Sequence, residues 1–447
     1  MIQRALPAPA WLTRGAVYQI NPRTFSPEGT ISAVTKELPY LASLGMGTIY
    51  LCPIFEEDAS ENRENWSIRQ KASETNNPKN PYRMNDYFRI DEEYGTMDDL
   101  AECISVCHSL GMHLILDLVY LHIGPNATIL KTHPEFAKQN ADGSFINGYW
   151  NFPLLDFNNR GLREYLYSNM IYYIAVLDCD GFRCDVGDGV PLDFWVEGRN
   201  RICSVKPDAV LINEGSKGES LLAGFHCIYG FSWHSCIYDI ITGNKTVASL
   251  RECWEGTHNS YPSGALILRD MDNHDTVTDW PDRVENIVGH VGMDLITALN
   301  LTVDGAPMIY CGNELCDTTT LSMFANRFHP GRFSATPRED LKQSPQTERR
   351  QNIIHTLNRL RREGTVLSQG MTEWIAVDCP ASAFAFRRTD GEHSILFIGN
   401  LTAEAVCVTV DTAVPTDAAV ILSDGCERPD NSVFPLLPYG FIILSES

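Results

Sequence analysis

Through the first three quarters of the chain, short runs of apolar and β-branched residues alternate with longer stretches whose apolar positions recur at helical spacing. The short runs predict strands at 16–20, 48–53, 113–120, 181–186, 210–214, 227–233, 265–269 and 307–311. The longer ones predict helices at 31–44, 97–110, 160–177, 192–203, 291–303 and 347–362. Strand and helix in strict alternation is the pattern of a parallel sheet with helices on its outside, and eight strands of this kind predict a closed (β/α)8 TIM barrel. Gly45 and Gly111 directly follow two of the predicted helices, where a left-handed stop is expected. Beyond Gly364 the helical period disappears, and 374–444 reads as short alternating strands broken by Asp-Gly and Pro-rich turns. The expected division is therefore a barrel over 1–364 and an antiparallel all-β domain over 365–447. Two connections, 56–96 after the second strand and 123–159 after the third, exceed ordinary βα loops, and loops of that length inside a compact barrel are usually functional. The second is a short insertion after strand 3.

Composition narrows the partners. A chain of 447 residues with 44% apolar content buries a large core easily. Its net charge of -22 excludes nucleic acid and anionic membrane surfaces as natural partners, and a small neutral ligand fits better. Residues 1–9 carry no basic segment followed by an apolar core, so a soluble, cytoplasmic protein is expected. Fourteen cysteines occur without a Cys-x-x-Cys pair and often inside apolar runs, which reads as buried free thiols in a reducing compartment, without metal or redox use. The oligomeric state is not legible.

In a barrel of this type chemistry is done at the C-terminal ends of the strands, so a polar residue closing an apolar run is informative. Asp117 and His122 close the third strand, Arg183 and Asp185 the fourth, Glu214 the fifth, and His274 and Asp275 follow the seventh. A lone carboxylate at a strand end is more often a cap or an ion-pair partner than a catalyst. Several on one rim are the equipment for glycosidic bond cleavage: an attacking carboxylate, a proton donor and a further charge for the oxocarbenium-like transition state. Arg183 and Asp185 share a strand face, so the guanidinium is expected to hold Asp185 ionised. Glu214 has no basic residue before Lys217, so burial is expected to raise its pKa toward that of a working acid.

The four segments 117–122, 181–185, 212–214 and 272–275, in that order, together with YRMNDY at 82–87 and Tyr94, Gly95 and Thr96, resemble glycoside hydrolase family 13, the α-amylase family. The resemblance implies Asp185 as nucleophile, Glu214 as general acid/base and Asp275 as transition-state stabiliser. It further implies that Arg183, His122 and His274 hold the sugar and the nucleophile, that Tyr82 stacks on the sugar ring and that Asp117 ties Arg183 in place. Where the family commonly has a calcium-ligating asparagine the chain has Leu121, and the loop 21–30 lacks spaced Asp/Asn ligands, so neither metal nor cofactor is expected. Residues 186–189 lack the lysine-histidine pair of true amylases, which favours short α-glucosides over starch.

Tyr149, Trp150 and Phe152 are expected to fill the core of the insertion more than to stack on sugar, and Trp66, Arg69 and Lys71 pose the same choice. Residues 326–329, after the eighth strand, are expected to stay outside the pocket more than to reach it. The expected reaction is retaining hydrolysis of short oligosaccharides or small α-glucosides. Glycosyl transfer or phosphorolysis of the sucrose-phosphorylase kind shares its covalent intermediate and stays open. So do a noncatalytic carbohydrate-binding relative and a metal-dependent hydrolase using Asp117, His122 and His274.

Overall fold

Eight strands form the barrel: β1 (Val17–Ile20), β2 (Thr48–Leu51), β3 (His113–Leu118), β4 (Gly181–Cys184), β5 (Val210–Asn213), β6 (Cys227–Tyr229), β7 (Ile267–Arg269) and β8 (Ala306–Tyr310). They are seen in a computed structural model that describes residues 3–329, 338–428 and 432–446. All are parallel and pair in chain order, and β8 returns to β1 to close the ring. Apart from His113 at the start of β3, every strand residue is buried, as parallel strands covered on both faces must be. Register sets the site: Asp117 of β3 lies opposite Arg183 of β4, which lies opposite Ile212 of β5. Gly181 begins β4 with φ +149°, and an added Cβ there would stand 2.3 Å from the Val210 carbonyl oxygen, so only glycine lets β4 and β5 meet.

The outer layer is made of α1 (Ile31–Ser43), α2 (Met97–Ser109), α3 (Arg160–Ala175), α4 (Leu192–Val205), α5 (Phe231–Ile241), α6 (Ser249–Ser260), α7 (Val284–Thr302) and α8 (Pro345–Glu363). Thr30 caps α1, and Thr96 with Asp99 forms a capping box on α2, which supplies partners to backbone donors that a helix start leaves free. The repeat is irregular in one place. Between β5 and β6 there is one 3-10 stretch at Gly218–Leu222, whereas two helices follow β6.

The strand predicted at 227–233 is corrected here. It ends at Tyr229, Gly230 breaks it, and Trp233 belongs to α5. Helix α6 escaped prediction because its buried residues are Leu250 and Thr257 alone, too few for an apolar stripe. Helix α7 begins at Val284, ahead of the predicted 291, and Gly289, at φ +69°, interrupts it and hides the period of its first turns.

After α8 an antiparallel sheet of five strands forms, Met371–Ile375, Ala383–Thr389, Ser394–Asn400, Phe441–Ser445 and Ala419–Asp424 in spatial order, with a separate pair Val406–Thr409 and Val433–Leu436. Phe384, Phe386, Phe397 and Phe441 on one face join the core of the barrel helices. Leu396, Ile398, Ile442 and Leu444 on the other pack against Val408, Phe434 and Leu436 of the pair. One buried arginine crosses the junction and another braces its barrel side. Arg361 of α8 donates to the carbonyls of Leu301 and Val303, and Arg388 of the sheet donates to those of Thr302, Leu367 and Gly370. Helix C-termini hold partial negative charge, which suits these cations. Burial still pushes them down, Arg361 to about 9 and Arg388 to about 10. Among the described residues no helix is long and apolar enough to cross a membrane.

Candidate active site

Arg183 organises one side of the barrel mouth. Its Nη1 donates to both oxygens of Asp117 at 2.7 and 2.9 Å and to Asp185 Oδ1 at 2.9 Å. Its Nη2 stands 2.7 Å from Glu214 Oε1, an ion pair off the ideal hydrogen-bond line. Tyr50 Oη donates to Asp117 Oδ2 at 2.7 Å, so Asp117 is held from two strands. Asp185 and Glu214 each stand one residue beyond β4 and β5, where the regular ladder no longer constrains them.

The expected electrostatic contrast between these two carboxyls does not hold in this form. Glu214 does have a cationic neighbour, because the guanidinium fork reaches it across the strands, and Arg183 is shared among three carboxylates rather than reserved for Asp185. Burial is the largest influence on both and raises both, Asp185 well above the ordinary aspartate range, with Arg183 opposing. A glutamate with no basic residue beside it in the chain before Lys217 gave no sign of this partner.

Val186, directly after Asp185, adopts φ 43° and ψ 46°. A β-branched residue in the left-handed region costs on the order of 1–3 kcal/mol and persists only where neighbours hold it. Here its backbone N–H donates to Glu214 Oε2 at 2.7 Å.

The opposite wall is the short helix His274–Asp279, capped by Asn273. Asn273 Oδ1 accepts from the Asp275 N–H at 2.9 Å, and its Nδ2 donates to Asp270, which in turn faces His234 of α5. Asp275 Oδ1 is 2.8 Å from Arg69 Nη2, and Oδ2 is 3.4 Å from His274 Nε2. Burial would raise the Asp275 carboxyl, but His274, Arg69 and Arg183 outweigh it and hold the carboxyl below its usual range.

Burial lowers His274, leaving a neutral ring whose Nδ1 faces Gln19 Nε2 at 2.9 Å and whose Nε2 faces Tyr82 Oη at 2.5 Å. An amide N–H can only donate, so Nδ1 accepts and Nε2 carries the proton. Tyr82 also donates to Asp117, at 3.2 Å. His122 is pushed down to about 4 by burial; its Nε2 donates to the Tyr82 carbonyl at 2.9 Å and its buried Nδ1 has no protein partner.

These groups surround a cavity that is partly open to solvent. Tyr82, His122, Asp185, Glu214 and Asp275 all line it, and Arg183 and Asp117 stand immediately beneath. All eight predicted site residues therefore fall in one constellation.

The secondary expectations divide. Trp150 and Phe152 reach the cavity and pack on His122 at ring separations of 5.5 and 5.2 Å, whereas Tyr149 is 85% exposed. Trp66 is buried with its Nε1 on the Ser60 carbonyl, and Arg69 enters the site while Lys71 stays at the surface. Asn326 and Arg327 tie loops together through Glu93 and the Glu28 carbonyl; Met323 and Phe324, just before them, line the cavity. Leu121 is part-buried, its methyl carbons 3.2 Å from where a Gly189 Cβ would stand, and a hydrocarbon offers a calcium ion no ligand.

Sequence reasoning missed Gln19, Ser67, Asn80 and Val186. Gln19 carried a signal: it is the one polar residue in an otherwise apolar, wholly buried strand.

Comparison with known proteins agrees with this geometry. The description of the α-amylase catalytic domain matches residues 13–150. A cyclomaltodextrinase from Geobacillus thermopakistaniensis is 24% identical over 98% of this chain and 77% of its own length. An intracellular maltogenic amylase from Bacillus subtilis is 24% identical over 88% of this chain and 69% of its own. Among solved structures, a noncanonic maltogenic α-amylase from Thermotoga neapolitana superposes with a TM-score of 0.80 at 23% identity, covering 97% of this chain and 99% of that one. With its four strand-end segments gathered round one cavity in a closed barrel, the chain is similar in sequence and fold to the α-amylase family, glycoside hydrolase family 13.

Proposed function

We propose that the protein is a retaining glycoside hydrolase of short α-linked oligosaccharides or small α-glucosides, with Asp185 attacking the anomeric carbon. Glu214 protonates the departing oxygen, then takes a proton from the water that releases the glycosyl-enzyme. Asp275, kept ionised, balances the charge that develops on the ring, His122 holds a sugar hydroxyl, and His274, its two nitrogens engaged by Gln19 and Tyr82, positions Tyr82. Arg183 carries the reading, because its one guanidinium touches Asp185 and Glu214 at once. A retaining pair stands about 5 Å apart, a separation that a single guanidinium with two ion pairs spans. Burial that raises both carboxyls favours a proton retained between them, which the acid step requires.

Trp150, Phe152, Met323 and Phe324 close the cavity walls, which supports short substrates. The relatives' names, cyclomaltodextrinase and maltogenic amylase, point the same way. Fourteen free thiols and a relative named as intracellular support a cytoplasmic setting. We assign 1–364 to the catalytic barrel and 365–447 to the all-β domain.

The test is product stereochemistry. Proton NMR during hydrolysis shows α-anomer first, and β-product would refute double displacement. Glu214→Gln slows substrates with poor leaving groups far more than activated aryl glucosides; equal losses would remove its acid role.

A further inference from the structure

Helices α5 and α6 run antiparallel, and Ser232 Oγ of the first lies 3.2 Å from Thr257 Oγ1 of the second. One helical turn further along each, four residues forward in α5 and four back in α6, brings Cys236 opposite Cys253. A second contact fixes the same register: Cys236 Sγ donates to the Ser249 carbonyl at 3.3 Å, and Ser249 is one turn before Cys253. These two contacts turn the Cys236 and Cys253 side chains toward each other across the helix pair. Cys236 is 2% exposed, whereas Cys253 is half-buried and open to a small reagent.

We propose that Cys236 and Cys253 are a reversible oxidation site, closed to a disulfide by peroxide. The Cys253 thiolate attacks one peroxide oxygen: an S–O bond forms, the O–O bond breaks, sulfur is oxidised, and hydroxide leaves to be protonated to water. Cys236 then displaces the sulfenic hydroxyl: the S–S bond forms, the S–O bond breaks, and the Cys236 proton leaves with that hydroxyl as a second water. A small thiol such as glutathione reverses the step by exchange.

The surroundings suit each role. The Cys236 thiol and the Ser232 hydroxyl, with Arg269 and Lys245 nearby, hold the Cys253 thiol below the ordinary cysteine range, and that makes it the attacking sulfur. Cys236, its own thiol raised by the same contact, is the resolving one. Chain order does not announce the pair, since sixteen residues separate the two and neither lies in a Cys-x-x-Cys motif. A competing pair exists in the C-terminal sheet, where Cys379 Sγ approaches the Cys407 carbonyl at 3.7 Å and Cys407 is exposed.

The experiment treats the full chain with a small excess of hydrogen peroxide, quenches it, and counts thiols under denaturing conditions before peptide mapping. The expected result is a fall from fourteen thiols to twelve, a crosslinked peptide pair containing Cys236 and Cys253, and full recovery with glutathione. Cys253→Ser abolishes the loss at this pair. Cys236→Ser stops at a Cys253 sulfenic acid, captured by dimedone with the gain of one adduct. Retained glycosidase activity in both variants before treatment confirms folding, and Cys379→Ser leaves the reaction unchanged. A crosslink between Cys379 and Cys407 instead, a loss that persists in Cys253→Ser, or fourteen thiols surviving peroxide that oxidises free cysteine would each overturn the proposal.

Discussion

Replacing Arg69 by methionine keeps the stem of the side chain and removes only the charge that faces Asp275. Arg69 is 28% exposed and Asp275 35%, so the pair belongs to neither limit of ion-pair energetics. Exposed pairs contribute about 0.2–1 kcal/mol, and breaking a fully buried pair costs about 3–5. Discounted for solvent screening, about 2 kcal/mol of Asp275 stabilisation is lost, or roughly thirtyfold in kcat/KM if the ionised carboxylate acts in the transition state.

The loss has a pH signature. Asp275 is held below the usual aspartate range partly by Arg69, and without that charge its carboxyl titrates at higher pH. Because it starts so far below that range, and His274 and Arg183 remain, the carboxyl of the variant is still ionised at pH 5, so the deficit is the same at pH 5 as at pH 7.5 and grows only under more acidic conditions. The assay is kcat/KM on an aryl α-glucoside from pH 4.5 to 8, with Arg69→Lys as the partial restoration. A methionine variant as fast as its parent at both ends of that range would refute the assignment of Asp275 as the charge that works in the transition state.

Asp180, at the foot of the barrel, should behave differently, since it accepts from His108, Lys206 and the Leu114 N–H and is 4% exposed. Asp180→Asn is expected to cost about 2–4 kcal/mol in urea denaturation at pH 6. Because these partners hold its folded pKa far below the unfolded aspartate value of about 3.9, that stability is full above the unfolded value and only begins to decline below it, so the variant is still clearly less stable than its parent at pH 3. The His108 share runs the other way: its pKa is raised, chiefly by the hydrogen bond to Asp180, so its contribution is full below about 6.5 and fades as pH rises through the folded value. Dialysis against a strong chelator should leave turnover unchanged, and lost activity restored by calcium would show that ligands other than position 121 hold an ion.

Much of this was readable in the chain because the barrel exposes few surfaces to ambiguity. Parallel strands buried on both faces read as continuous apolar runs, and the first charged residue after each run, Asp185 or Glu214, marks where the strand opens into the mouth. What could not be read depends on distances between strands. That Arg183 reaches Glu214 follows from the register of β4 on β5, and that Arg69 reaches Asp275 depends on a loop folding back across 206 residues of sequence. Helix α6 was lost for another reason, since no periodic stripe announces it, and α5, whose Trp233, Cys236, Ile237 and Ile240 do form one, was masked by the strand reading of 227–233.

The buried guanidinium of Arg388 has a consequence for the way this enzyme dies on heating. It sits in the tail, yet one of its partners is the last carbonyl of the helix that feeds β8, and the phenylalanines of its sheet join the core of the barrel helices. Neither half can melt without stripping the other of its anchor, so calorimetry should record one peak, and a chain cut after α8 should precipitate instead of working.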